Sequence, residues 1–191
     1  MSDLERRIKH ALEPVLELAD PRERISSYHD MPYALFRYDP EDEFELRRQV
    51  TNLETRLRQK AKRITRISLS ECLDEALRTQ HTPGAWFDAE RDQGASTIVD
   101  TVHAVLSENA PLVDLVVAKM PEAPDPKRDI VFVLRTGALF PMYRTSAILE
   151  QAKGRITVPT VLFYPGTLDG AAGLKFMGVL DSDPNYRPKI F

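Results

Sequence analysis

Residues 33–69, YALFRYDPEDEFELRRQVTNLETRLRQKAKRITRISL, change their hydrophobic period twice. Tyr33–Tyr38 is a short aromatic and aliphatic run that reads as a strand. It stops at Asp39-Pro40-Glu41-Asp42-Glu43. Asp39 suits a helix cap, Pro40 the first helical position, and the acids the positive end of a helix dipole. Leu46, Val50, Leu53 and Leu57 then recur every three to four residues, which predicts a helix over about 41–61. Ile64, Ile67 and Leu69 mark a second strand. Strand–helix–strand is the crossover that joins parallel strands, so this stretch predicts an α/β fold.

The rest of the chain extends that pattern. Ser68-Leu-Ser-Glu71 has the spacing of a capping box and opens a helix through about Leu77. His81-Thr-Pro-Gly84 breaks it, and a short helix from Trp86 and Phe87 ends near Gly94. Ala95, Ile98, Val99, Val102 and Leu106 form a helical stripe, and Asn109 with Pro111 starts a further helix to Met120. Ile130-Val-Phe-Val-Leu134 is a continuous apolar run, the mark of a central strand buried on both faces. A turn at Thr136-Gly137-Ala138, a helix over about 141–152 and a strand from Val158 to Tyr164 follow. Leu174–Leu180 predicts a last strand, joined by a glycine-rich hairpin loop in which Asp169-Gly170 turns and Gly166 takes a positive φ. The expected fold is a three-layer α/β domain. Its sheet is mostly parallel, of about five strands with an antiparallel edge strand, and helices cover both faces.

Upstream, Leu4, Ile8, Leu12, Val15 and Leu16 predict an amphipathic helix over 3–18 that Pro14 should kink or split. The stretch around Ser26, Ser27, His29 and Asp30 reads as a loop. Residues 1–30 are therefore expected to form an N-terminal helix and linker, and 31–191 a single α/β domain.

With 191 residues, 42% of them hydrophobic, the chain can bury a core without metals or disulfides. The one cysteine, Cys72, allows no internal disulfide, which fits a reducing cytosol, and a cytoplasmic location is expected. The first twenty residues are charged throughout, unlike a signal peptide, and no stretch has the ~18 consecutive apolar residues of a membrane span. A net charge of −3 gives no global pull toward nucleic acid.

Motifs for catalysis are missing. Gly166-Thr-Leu-Asp-Gly170-Ala-Ala-Gly173 is not followed by the Gly-Lys-Ser/Thr of a phosphate-binding loop, and the next residues read as a strand rather than a helix. The four histidines, at 10, 29, 81 and 103, do not share ligand spacing, and Asp181-Ser-Asp183 reads as a turn before Pro184, so no metal site is expected. No G-x-S-x-G elbow is present. Arg135-Thr136-Gly137-Ala138 follows the most buried strand, and ligands of open α/β sheets favour the carboxyl ends of strands. Gly137 with Arg144 is thus a candidate anion site, against the competing reading of a plain turn. The basic stretch Arg47, Arg48, Arg56, Arg58, Lys60, Lys62, Arg63 and Arg66 reads either as a solvated helix face or as a patch for phosphates or an acidic partner.

One resemblance goes further. Val161–Leu180, VLFYPGTLDGAAGLKFMGVL, is similar to the C-terminal signature of the BrxB family of BREX phage-defence systems, in which F-Y-P-G leads to D-G and an L-x-x-F-G-x-L strand. Tyr186-Arg187 stands where that family has a tyrosine–arginine pair. Pro32–Glu43 resembles the family's first strand and helix start, and Thr136–Arg144 its T-G-x-x-x-P-x-x-R turn. The resemblance implies a small component without assigned catalysis or cofactor. It would associate with other BREX proteins, above all PglZ, the alkaline-phosphatase-like component. The glycine segment would then be a shaped protein surface. Its candidates for partner contact are Tyr164, Pro165, Gly166, Leu168, Asp169 and Gly170, with Tyr186 and Arg187. Two readings stand: a non-catalytic adaptor that does not bind DNA directly, and a degenerate nucleotide- or nucleic-acid-binding domain.

Overall fold

Side chains of the inner strands alternate between two cores, and this alternation organises the molecule. The structure is a computed structural model that describes residues 2–26, 31–170, 173–180 and 188–191. In β1 (Tyr33–Tyr38) Tyr33 and Leu35 enter one core, while Ala34, Phe36 and Tyr38 enter the other. β3 (Asp129–Leu134) divides Val131 and Val133 from Ile130 and Phe132 in the same way. β4 (Thr160–Asp169) divides Leu162 and Tyr164 from Val161 and Phe163. The two-residue period of a strand requires this once helices cover both faces.

The sheet order is β2-β3-β4-β1-β6, with β2 spanning Arg63–Ser68 and β6 Lys189–Ile190. These five strands pair in parallel, and β5 (Gly173–Phe176) pairs antiparallel with the end of β4. Helix α4 (Glu43–Gln59) carries the chain from β1 to β2 across one face. It packs there with α1 (Asp3–Arg7), a π-helical turn (Ile8–Leu12), α2 (Glu13–Leu16) and α3 (Arg22–Ile25). The other face is covered by α5 (Leu69–Gln80), α7 (Ala95–Ala104), α8 (Leu112–Ala118) and α9 (Thr145–Gln151). Helix α6 (Pro83–Gln93) has no buried residue and touches this core mainly through Trp86, whose indole donates to Leu77 O at 3.1 Å.

Local chemistry sets the ends of these elements. Asp39 accepts from the Glu41 amide and Pro40 opens a 3-10 turn ahead of α4, while Ser68 Oγ accepts from the Glu71 amide to start α5. The Glu13 amide bonds to Ile8 O, five residues back, so the π turn makes room for Pro14 where a regular helix would clash with it. Ile8, Leu12 and Leu16 are fully buried against Phe36 and Leu53, so residues 3–25 share a core with the sheet. Residues 27–30 lie outside the described residues.

Several expectations are corrected. A sixth strand exists, because β6 returns to pair with β1 at the far side of the sheet from β2. β4 does not stop at Tyr164: it runs on through Pro165 and Gly166 to Asp169, because β5 supplies ladder partners to this extension. β5 ends at Phe176, where Met177 and Gly178 turn with φ of 55° and 71°. Gly166 has no positive φ. Glycine is required there because a Cβ would stand 2.3 Å from Lys175 O and 2.6 Å from Tyr164 Cε1. α9 starts at Thr145, not 141, after a 3-10 turn over Thr136–Leu139.

Candidate functional site

The carboxyl ends of β1, β2, β3 and β4 open into one groove, the position where parallel sheets most often hold ligands. It has two adjoining halves that share Glu43, Arg47 and Arg135. The larger, of about 310 Å³, adds Leu46, Val50, Thr51, Arg66, Ser68, Glu71 and Leu134. The smaller, of about 220 Å³, adds Tyr38, Pro40, Gly137, Ala138, Pro165 and Met177. α4 forms one wall through its 43-47-50 face, and the strand ends form the floor.

Glu43 is the hub. Its carboxylate accepts from the buried Tyr38 hydroxyl and from Arg47 Nε at 3.0 Å, and it lies 3.9 Å from Arg135 Nε. Burial, then the hydrogen bond to the Glu43 carboxylate, push the Tyr38 pKa well above its ordinary value, so the phenol stays protonated and donates. Arg135 holds a left-handed backbone, φ 62°, which is uncommon for a residue with a Cβ. The next residue fixes it: Thr136 is fully buried and its Oγ1 donates to Phe163 O at 2.7 Å, tying the turn to β4. Strained positions persist only where the surroundings over-determine them.

The other expected site residues fall in different places. Gly137 lines the groove, 3.4 Å from Met177 Sδ when given a Cβ. Arg144 is exposed just before α9 and does not line either half of the groove. Tyr164, Pro165 and Gly166 are buried; the Tyr164 ring packs 5.4 Å from that of Phe176. They shape the hairpin from within, and Pro165 also lines the smaller half of the groove. Leu168 is 54% exposed near the hairpin tip, beside exposed Asp169, which lies 3.5 Å from Lys175 Nζ, and Gly170 turns with φ 65°. Tyr186 and Arg187, like Asp181-Ser-Asp183, lie outside the described residues.

The basic stretch is largely neutralised within the fold. Arg47 pairs with Glu43, Arg48 with Glu45, Arg58 and Arg66 with Glu54, and Arg63 with Asp129. Arg56 forms a two-pronged pair with Glu13 at 2.7 and 2.8 Å, and Lys62 donates to the Leu18 and Lys127 carbonyls. The partners of Arg56 and Arg63 were not legible in the sequence, because Glu13 and Asp129 are distant in the chain. Among the described residues no three His, Cys, Asp or Glu side chains gather as a metal site, and no helix is long and apolar enough to cross a membrane.

Residues 65–190 match the family model described as BREX protein BrxB. This chain belongs to the BrxB family of BREX phage-defence systems. A BREX protein BrxB from Bacillus cereus (strain H3081.97) is 30% identical over 190 residues, covering 95% of this chain and 96% of that protein. No solved structure shows significant similarity. The BrxB match takes in β3, β4, β5 and the Arg66, Arg135 and Pro165 sides of the groove. Tyr38, Glu43 and Arg47 precede it.

Proposed function

We propose that this BrxB-family chain is a non-catalytic adaptor of a BREX complex, and that its partner is the PglZ-like, alkaline-phosphatase-like component. Family membership supports the setting. The observation that carries the adaptor role is the β4–β5 hairpin. Its base is fixed by buried Tyr164, Pro165 and Gly166, while it presents Leu168, 54% exposed, at its end. A rigid stem with an exposed apolar tip suits a protein contact, because little order has to be gained on docking. Val179, in the turn after β5, is a second exposed apolar side chain, 72% exposed.

The pairing of the α4 cations disfavours duplex DNA as the partner. Guanidiniums already held by Glu13, Glu43, Glu45 and Glu54 must lose those partners before they reach phosphates. Co-expression with the PglZ-like protein of its own operon, purification at moderate salt and mass measurement of the complex test the proposal. A stable complex of the two is expected, and failure to bind any protein of the operon sinks the reading.

A further inference from the structure

We propose that the groove at the carboxyl ends of β1–β4 binds a phosphate-bearing ligand of mononucleotide size. This goes beyond the adaptor role and does not rest on it. The two halves of the groove differ in chemistry. Arg47, Arg66 and Arg135 converge on the larger half with the hydroxyl-bearing Thr51 and Ser68. Pro40, Ala138, Pro165 and Met177 make the smaller half largely apolar. The volumes, about 310 and 220 Å³, together fall in the range of small-molecule sites.

One cation in the larger half is only loosely paired. Of the three guanidiniums that line it, Arg47 is held by Glu43 and Arg66 by Glu54, which leaves Arg135 as the one least engaged. Glu43 is already engaged by the Tyr38 hydroxyl and Arg47 Nε, and Arg135 at 3.9 Å is too far to share a hydrogen bond with it. Among the described residues that is the nearest ion pair Arg135 makes, which leaves a planar fork of donors facing the groove. The amino end of α5 opens there too, at Ser68, and adds its partial positive charge. A phosphate between Arg135 and the amino end of α5, with a flat apolar body over Pro40, Pro165 and Met177, uses both halves. The left-handed backbone at Arg135, a position that would suit glycine, then has a purpose: it carries the guanidinium to the ligand.

Calorimetric titration of the whole chain with AMP, ADP and inorganic phosphate tests this. At least one nucleotide is expected to bind ten-fold or more tighter than phosphate. Arg135→Gly is expected to weaken that binding at least ten-fold without lowering the melting temperature, since glycine relieves the left-handed backbone. Arg47→Gln, on the helix wall, is expected to weaken it in the same direction. No binding of either nucleotide at millimolar concentration overturns the proposal. So does equal affinity for nucleotide and phosphate, or undiminished nucleotide binding by both variants.

Discussion

Gly166 shows how one residue can fix a surface it does not itself present. The atoms that a Cβ would meet are a backbone oxygen and an aromatic ring in a buried ladder, 2.3 and 2.6 Å away, and neither can swing aside. Gly166→Ala is therefore expected to destabilise the protein by about 1–3 kcal/mol, the usual cost of overpacking. Gly137→Ala meets the flexible Met177 thioether at 3.4 Å and Pro165 Cγ at 3.6 Å, both ordinary contacts, and should change stability by less than about 0.5 kcal/mol. Urea unfolding of both variants checks this, and equal losses would contradict it. The need for glycine at 166 was visible in the sequence, but its cause was not. Close approach of β5 depends on ladder partners that sequence spacing does not reveal. Cys72 gives a second expectation at this scale. Its thiol is fully buried, and burial pushes its pKa from the ordinary 9.0 up to about 11. Below pH 9 both folded and unfolded states hold the proton and the thiol contributes no pH dependence. Between about 9 and 11 only the unfolded state ionises, so stability falls as pH rises. Tyr38 and Tyr143 are shifted upward as well, mainly by burial, and add to the alkaline loss. Denaturation midpoints measured from pH 7 to 11 should decline above 9, and a thiol reagent at pH 8 should label Cys72 only at the rate of unfolding. Rapid labelling of native protein would contradict its burial.

Elements are joined by a few long-range polar contacts that the sequence pattern leaves unassigned. Glu13, almost buried at 8% exposure, holds Arg56 by two hydrogen bonds and so pins α2 to α4. Arg56→Ala strands that carboxylate and is expected to cost about 1–3 kcal/mol. Arg58 is exposed and pairs with Glu54, which keeps Arg66, so Arg58→Ala should cost roughly 0.5 kcal/mol. Chemical denaturation of the two variants separates them, and similar losses would show that Glu13 and Arg56 do not staple the helices. The strands around α4 were legible because their apolar runs are bounded by strong signals: Asp39-Pro40 after β1, and the Ser68–Glu71 capping box after β2. β4 was read short because Pro165 and Gly166 usually end a strand, and here they lie inside one. β6 is two residues long and carries no pattern of its own. The order β2-β3-β4-β1-β6 was not legible at all, since a crossover helix does not state how many strands it skips.

At the scale of the whole molecule, the strand order gathers the distinctive features at the carboxyl edge of the sheet. β1, β3 and β4 bring Tyr38, Arg135 and Pro165 together there, although they are far apart in sequence. The extension of β4 leaves from the same edge, so Pro165 and Met177 serve both as groove lining and as the base of the hairpin. Half of the groove could be named from the sequence, as the turn after the most buried strand. The other half, Tyr38 with Glu43 and Arg47, belonged in sequence to a helix start and became part of a site only through strand order. The adaptor reading is tested most directly at Leu168, by measuring the affinity for the PglZ-like partner and the melting temperature of a single variant, Leu168→Asp. A charge placed at a desolvated interface anchor should cost about 2 kcal/mol or more, roughly a 30-fold weaker complex. The side chain is more than half exposed in the free chain, so the melting temperature should hardly move. Unchanged affinity in the folded variant would contradict docking through this hairpin.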